Sequence, residues 1–141
     1  MNIRQLEHRL VEEGCSATNY SIGYRGSDVF CLLNQNGTWR VFYTERGQDD
    51  ALVFESKNEE EACEFYFEYI AKQIRHDHMV GFFRSEEYAK ALSAKLDQSG
   101  IQSQQDKIPY GVWADPRYRV FVVGKDIFKA REILDEVPMK D

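Results

Sequence analysis

The sequence predicts an α+β fold, a two-layer sandwich in which an N-terminal α-β-β-β-α half precedes a β-α-β-β-α half. Apolar residues recur at helical spacing in four segments, they alternate or cluster as in strands in six others, and Gly, Pro and Asn-Gly signals separate these segments. The 141 residues, 43% of them hydrophobic, suffice for a packed core. We expect the halves, residues 1–77 and 78–141, to pack as one compact unit.

The first half begins with a helix over residues 2–13 that ends at Gly14. Its apolar face consists of Ile3, Leu6, Leu10 and Val11. Residues 15–27 are rich in Gly, Ser, Thr and Asn and predict a loop. Strands over residues 28–33 and 38–44 flank an Asn-Gly pair, which indicates a hairpin because both residues tolerate positive φ.

The second of these strands has two distinct faces. Trp39, Val41 and Tyr43 share one face, and Arg40, Phe42 and Thr44 share the other. A charged turn over residues 45–50 leads into a short strand over residues 52–55. A helix follows over residues 58–75, with Ser56 or Asn58 as its cap and three glutamates in its first turn, where the helix dipole favours negative charge.

The second half has the element order of a ferredoxin-like sandwich that lacks its last strand. A strand over residues 79–83 precedes a helix that is capped by Ser85 and stopped by Gly100. A polar edge strand (101–108), a turn-rich connection (109–116) and an apolar strand (117–123) follow. The last helix begins at Asp126 and continues to the residues before Pro138.

The net charge of the chain and its distribution limit the kinds of molecule that it is expected to bind. The formal net charge is −6. Residues 1–77 hold 8 basic and 14 acidic side chains, whereas residues 78–141 hold 10 of each. An acidic chain is a poor general binder of nucleic acid, so we expect no direct nucleic-acid contact and instead a basic protein partner. The apolar runs are too short for a membrane span, and the charged N-terminus does not resemble a secretion signal. We therefore expect a cytoplasmic protein.

Sequence motifs for catalysis are weak, and the chain is predicted not to be an enzyme and to need no cofactor or metal. Cys15, Cys31 and Cys63 lack metal-ligand spacing and predict buried thiols. Two alternatives stay open. His76 or His78 could serve a metal site or the acid–base chemistry of a small hydrolase, and the fold could be a small-molecule-binding regulatory module.

The predicted helix over residues 58–75 carries a row of glutamates at positions i, i+4 and i+8. Glu60, Glu64 and Glu68 line one ridge, where like charges cost a few tenths of a kcal/mol per pair. The ridge is either a solvated surface or a docking site for a cationic partner. If it binds, the expected binding residues are Glu60, Glu64, Glu68, Asp49 and Asp50, with Tyr43 or Trp39 as an aromatic anchor. The string Glu45-Arg46-Gly47 is either a surface turn or a recognition loop.

Two strings in the first half, NQNGTWRVFYTERG and SKNEEEACEFYFEYI, resemble the strand and helix of small bacterial immunity proteins encoded beside polymorphic or contact-dependent growth inhibition toxins. The resemblance implies an antitoxin that binds and neutralises a cognate toxin, such as a nuclease with a basic cleft, without chemistry of its own. In the second half, VGFFRSEEYAKALSAKLDQSGI and YRVFVVGKDIFKAREIL are similar to ferredoxin-like SPOR modules, which implies a fold but not a ligand.

Overall fold

The computed structural model describes residues 1–46 and 48–141, apart from the side chain of Asp50. The chain forms two compact units, Met1–His76 and Asp77–Asp141. Over the described residues it has four α-helices and two four-stranded sheets, which confirms the α+β class. None of the helices in the described residues has the length and apolar character that a membrane span requires.

The first unit contains two helices and a mixed sheet of order β1-β2-β3-β4, in which β1 runs parallel to β2 and the other neighbours are antiparallel. Its elements are α1 (Ile3–Glu12), β1 (Tyr20–Ile22), β2 (Phe30–Gln35), β3 (Thr38–Glu45), β4 (Gln48–Ser56) and α2 (Glu59–Glu68), which continues as a π-helical segment, Tyr69–Gln73.

Both helices of the first unit begin with a side-chain cap. The Asn2 side chain accepts from the Gln5 N–H and the Gln5 side chain accepts from the Asn2 N–H, a reciprocal pair that starts α1. The Asn58 side chain accepts from the Glu61 N–H and starts α2. Both helices begin within one residue of the predicted starts, and Asn58 is the one of the two candidate caps that α2 uses.

The core of the first unit lies between its helices and one face of its sheet. Leu6 and Leu10 of α1 and Tyr66 of α2 pack there with Leu32 and Val41. The Tyr66 hydroxyl donates to the Phe30 carbonyl (2.6 Å) and accepts from the Ser21 N–H (3.2 Å), so it joins β1 to β2. The opposite face holds a smaller buried cluster: Val29, Cys31, Leu33 and Phe42.

The second unit has a sheet of order β6-β7-β5-β8, in which β6, β7 and β5 are antiparallel and β8 is parallel to β5. Its elements are β5 (Asp77–Phe83), α3 (Glu86–Gln98), β6 (Gln104–Tyr110), β7 (Val112–Val123), α4 (Asp126–Ile133) and β8 (Met139–Lys140). Its core includes Val80, Leu92, Leu96, Val120 and Val122.

Several segment predictions were wrong. The charged turn predicted over residues 45–50 is partly strand, because β4 begins at Gln48. The predicted loop over residues 15–27 contains β1, which depends on pairing with β2. The predicted connection over residues 109–116 is mostly strand, because the hairpin turns at Gly111 (φ +87°). Pro109 and Pro116 lie opposite each other in this hairpin. Since β7 pairs with β5 from Tyr118 onward, neither proline removes a hydrogen bond from the β5–β7 pairing at the centre of the sheet. The last helix ends at Ile133, well before Pro138.

Candidate protein-binding site

Three glutamates form an exposed ridge on α2. Glu60, Glu64 and Glu68, called here the acidic ridge, are solvent-exposed because Ala62, Cys63, Tyr66 and Phe67 take the buried side of the helix. Glu68 pairs with Lys72 at 2.8 Å, but both side chains are exposed, so this pair contributes only about 0–1 kcal/mol. The ridge therefore presents carboxylates that a partner can reach at little cost.

A row of half-buried aromatic rings lies between α2 and the sheet. Phe54 stacks on Phe65 with centroids 4.2 Å apart, and Phe65 lies 5.8 Å from Tyr69. Tyr69 packs edge-on against Phe30 at 4.8 Å, and Phe30 packs likewise against Tyr43 at 4.9 Å. These five rings, the aromatic row, are held by one another and so need little reordering to meet a partner.

A groove of about 300 Å³ connects the ridge to the row. Its lining consists of Phe65, Glu68, Tyr69 and Gln73. Tyr69 and Gln73 lie in the π-helical segment, a local widening of the helix that often occurs at functional sites. A carboxylate beside half-buried aromatic rings suits a cationic side chain with an aliphatic stem, such as lysine or arginine.

The structure brings only some of the predicted binding residues together. Tyr43 belongs to the aromatic row, and Trp39 is half-buried against the core on the same sheet face. Asp49 lies on the opposite face, because it pairs with Thr44 across β3 and β4. There it accepts two hydrogen bonds from Arg25, at 3.0 and 3.2 Å. Asp49 therefore cannot act with the acidic ridge on one flat surface.

Two predictions fall partly outside the described residues. The Asp50 side chain and Gly47 are not described, so Asp50 as a binding residue and the full Glu45-Arg46-Gly47 string stay predictions. Glu45 and Arg46 are exposed, and the Arg46 N–H donates to the Asp28 carboxylate at 3.1 Å. This contact joins the end of β3 to the segment before β2, 18 residues earlier in the chain.

His76 has a structural role in the first unit. It is 5% exposed, its Nδ1 accepts from the Ser16 N–H (2.9 Å), and its Nε2–H donates to the Ile70 carbonyl (2.7 Å). A backbone N–H only donates and a carbonyl only accepts, so these contacts define the neutral tautomer. Both ring nitrogens are engaged in the fold, which removes the geometric basis for His76 as a metal ligand or acid–base group.

The three cysteines are buried, as predicted. Burial, assisted by Glu13, raises the pKa of Cys15 to about 11. Burial, assisted by Glu59, raises the pKa of Cys63 to about 11. Both thiols therefore stay protonated near neutral pH, and a protonated thiol is a poor nucleophile. Among the residues that the structure describes, no three His, Cys, Asp or Glu side chains are grouped as metal ligands would be.

One exposed apolar surface, the tip of the β6–β7 hairpin, was not predicted from the sequence. Tyr110, Val112 and Trp113 are 56%, 61% and 65% exposed, and Arg117 stacks on the Tyr110 ring at 4.0 Å. The register shifts between Pro109 and Tyr110, so β7 bulges near Trp113. The short Tyr-Gly-Val string at the tip was the available signal, and the two nearby prolines hid it by indicating a turn.

Comparison of the chain with protein-family models, with curated proteins and with solved structures gives no significant match.

Proposed function

We propose that the protein is an immunity protein that acts in the cytoplasm and neutralises a cognate toxin by stoichiometric binding. The observation that carries the proposal is the acidic ridge beside a preformed aromatic groove, with Glu68 belonging to both. The resemblance of the strand and helix strings to immunity proteins supports the same function.

The two parts of this surface suit the two stages of binding. Carboxylates with complementary potential speed the encounter with a basic partner and select against acidic ones. Half-buried aromatic side chains supply contact area at low entropic cost, and aromatic residues dominate the energetics of many interfaces. A toxin with a basic substrate cleft, such as a nuclease, has the charge that this surface complements.

We also propose a ferredoxin-like fold for the second unit. Its β5-α3-β6-β7-α4 connectivity and the antiparallel order β6-β7-β5 support this proposal, whereas the parallel pairing of β8 with β5 departs from the expected pattern.

The test of the proposed function is a binding experiment with charge-reversed variants. Tagged protein is used at low salt to isolate a basic partner encoded beside it, and the partner is then expressed alone to measure its toxicity. The triple variant Glu60→Lys/Glu64→Lys/Glu68→Lys should bind that partner about 10- to 100-fold more weakly, since each reversal is worth a few tenths to one kcal/mol.

A matched control separates position from net charge. Glu87, Asp97 and Glu132 are exposed carboxylates on α3 and α4, and their replacement by lysine changes the net charge equally. This control should bind within about threefold of the unchanged protein. Equal weakening in both triple variants would contradict the acidic ridge as the site. A neighbouring gene product that neither binds nor is toxic would contradict the immunity function.

A further inference from the structure

A second groove lies in the first unit, between α1 and β1. Its volume is about 230 Å³, and its walls include Glu7 and Val11 of α1, Tyr20 and Ile22 of β1, and Tyr24 beyond the strand. Val11 is 56% exposed and Tyr24 is 61% exposed, so an apolar helix residue and an aromatic ring border the groove without covering each other. The groove is smaller than the roughly 300–1,000 Å³ typical of small-molecule sites.

The strand that forms one wall is an open edge of its sheet. Within the described part of the chain β1 pairs with β2 alone, and successive residues of a strand direct their backbone groups to alternate sides. The backbone N–H of Ser21 faces β2, because it donates to the Tyr66 hydroxyl, which in turn donates to the Phe30 carbonyl of β2. The Gly23 N–H also faces β2 and donates to the Leu32 carbonyl at 2.9 Å. The N–H and C=O groups of Tyr20 and Ile22 therefore point outward, along the groove.

We propose that this groove binds an extended segment of a partner protein, which adds to β1 as a further strand. The outward backbone groups of Tyr20 and Ile22 supply the hydrogen bonds, and an apolar side chain of the segment fits between Val11 and Tyr24. The Glu7 carboxylate on the same wall selects a segment that carries lysine or arginine next to its apolar residue.

The charge and size of the groove disfavour a second copy of this chain as the occupant. Two β1 strands meeting edge to edge would bring the two Glu7 carboxylates toward one another. A three-residue strand also buries far less than the roughly 800 Å² per partner of a stable interface. A cationic, extended segment can hydrogen-bond to the backbone edge, pack an apolar side chain against the walls and pair its charge with the Glu7 carboxylate.

The test uses random twelve-residue peptides displayed on phage and selected on the full chain. The enriched peptides are synthesised, and amide exchange is followed by NMR in the bound and free protein. Bound peptide should slow exchange of the Tyr20 and Ile22 amides at least tenfold and leave the Ser21 amide unchanged, because that amide is already bonded. Enriched peptides should carry lysine or arginine beside an apolar residue.

Variants separate the groove from other surfaces. Val11→Asp should weaken peptide binding at least tenfold, and Glu7→Gln about three- to tenfold. Tyr88→Asp and Glu87→Gln, the matched changes at exposed positions of α3, should alter binding less than twofold. The proposal is overturned if selection enriches no peptide, if binding is indifferent to Val11 and Glu7, or if Tyr20 and Ile22 become protected with rising protein concentration alone, which would indicate a second copy.

Discussion

His76 contacts two segments of the first unit, residues 16–19 and the π-helical segment, through its two ring nitrogens. Nδ1 accepts from the Ser16 N–H, and Asn19 Nδ2 lies 3.1 Å from the same nitrogen. Nε2–H donates to the carbonyl of Ile70 in the π-helical segment. Removal of this ring leaves a part-buried donor and a buried acceptor without their partner. The acceptor lies in the segment that carries Tyr69 of the aromatic row.

The expected magnitude follows from those two contacts. A buried polar group that loses its partner costs about 1–3 kcal/mol, so His76→Ala should lower the free energy of unfolding by about 2–5 kcal/mol. His76→Asn retains an acceptor near Nδ1, and His76→Gln retains a donor near Nε2. Each of these variants should recover about half of the loss, because each satisfies one of the two backbone groups.

The assay is urea unfolding followed by tryptophan fluorescence. The chain has two tryptophans, Trp39 in the first unit and Trp113 in the second, so a Trp113→Phe background makes the signal report the first unit alone. His8 is exposed in a pair with Glu12, and His8→Ala is the control, with an expected change below about 0.5 kcal/mol. A loss below about 0.5 kcal/mol for His76→Ala would refute the reasoning and restore His76 as a functional group.

Three further predictions concern the thiols, a carboxylate and the hairpin tip. Burial raises the pKa of Cys15 and of Cys63 to about 11. Alkylation of both thiols at pH 8, mapped by mass spectrometry, should therefore be at least about 100-fold slower in the native protein than in the urea-unfolded protein. Comparable rates would contradict their burial. Hydrogen bonds from backbone N–H groups at the start of α3, chiefly that of Arg84, lower the pKa of Asp141. Its stabilisation is therefore complete above the unfolded pKa of about 3.9 and is lost as the pH falls through the lower folded value. Asp141→Asn should thus be less stable than the unchanged protein at pH 7 and equally stable near pH 2 in thermal melts, and a difference that persists at pH 2 would contradict this account. Trp113→Ser should change the free energy of unfolding by less than about 0.5 kcal/mol in urea unfolding, because the side chain is exposed; a larger loss would show that the ring is packed in solution.

Local sequence patterns predicted much of the first unit correctly. The Asn36-Gly37 pair forms the β2–β3 turn with φ of +55° and +88°, as a hairpin signal of this kind requires. The assignment of Trp39 and Val41 to one face of β3, opposite Phe42, is confirmed by their separate clusters. Alternation has a period of two residues, so short-range order suffices to assign the faces.

Features that depend on distant residues could not be predicted in this way. β1 exists because β2 and the Tyr66 hydroxyl hold it, and Tyr66 is 45 residues from Ser21 in the chain. Asp49 is a strand residue because β4 begins at Gln48 and pairs with the end of β3, where Thr44 lies opposite Asp49. The charged residues before Ala51 indicate a turn by composition, and only their pairing with β3 makes them part of a strand and assigns the face of Asp49.

The sequence by itself determined the α+β class, the order and approximate limits of most helices and strands, and the exposed row of Glu60, Glu64 and Glu68. These properties depend on residue type and local spacing, which set helix caps, helix faces and strand alternation. The tertiary structure alone decided that the acidic ridge borders an aromatic groove, that His76 is part of the fold, and that β1 has an open edge beside α1. Each of these depends on contacts between residues far apart in the chain, where packing and hydrogen-bond satisfaction select among arrangements that local preference leaves equivalent.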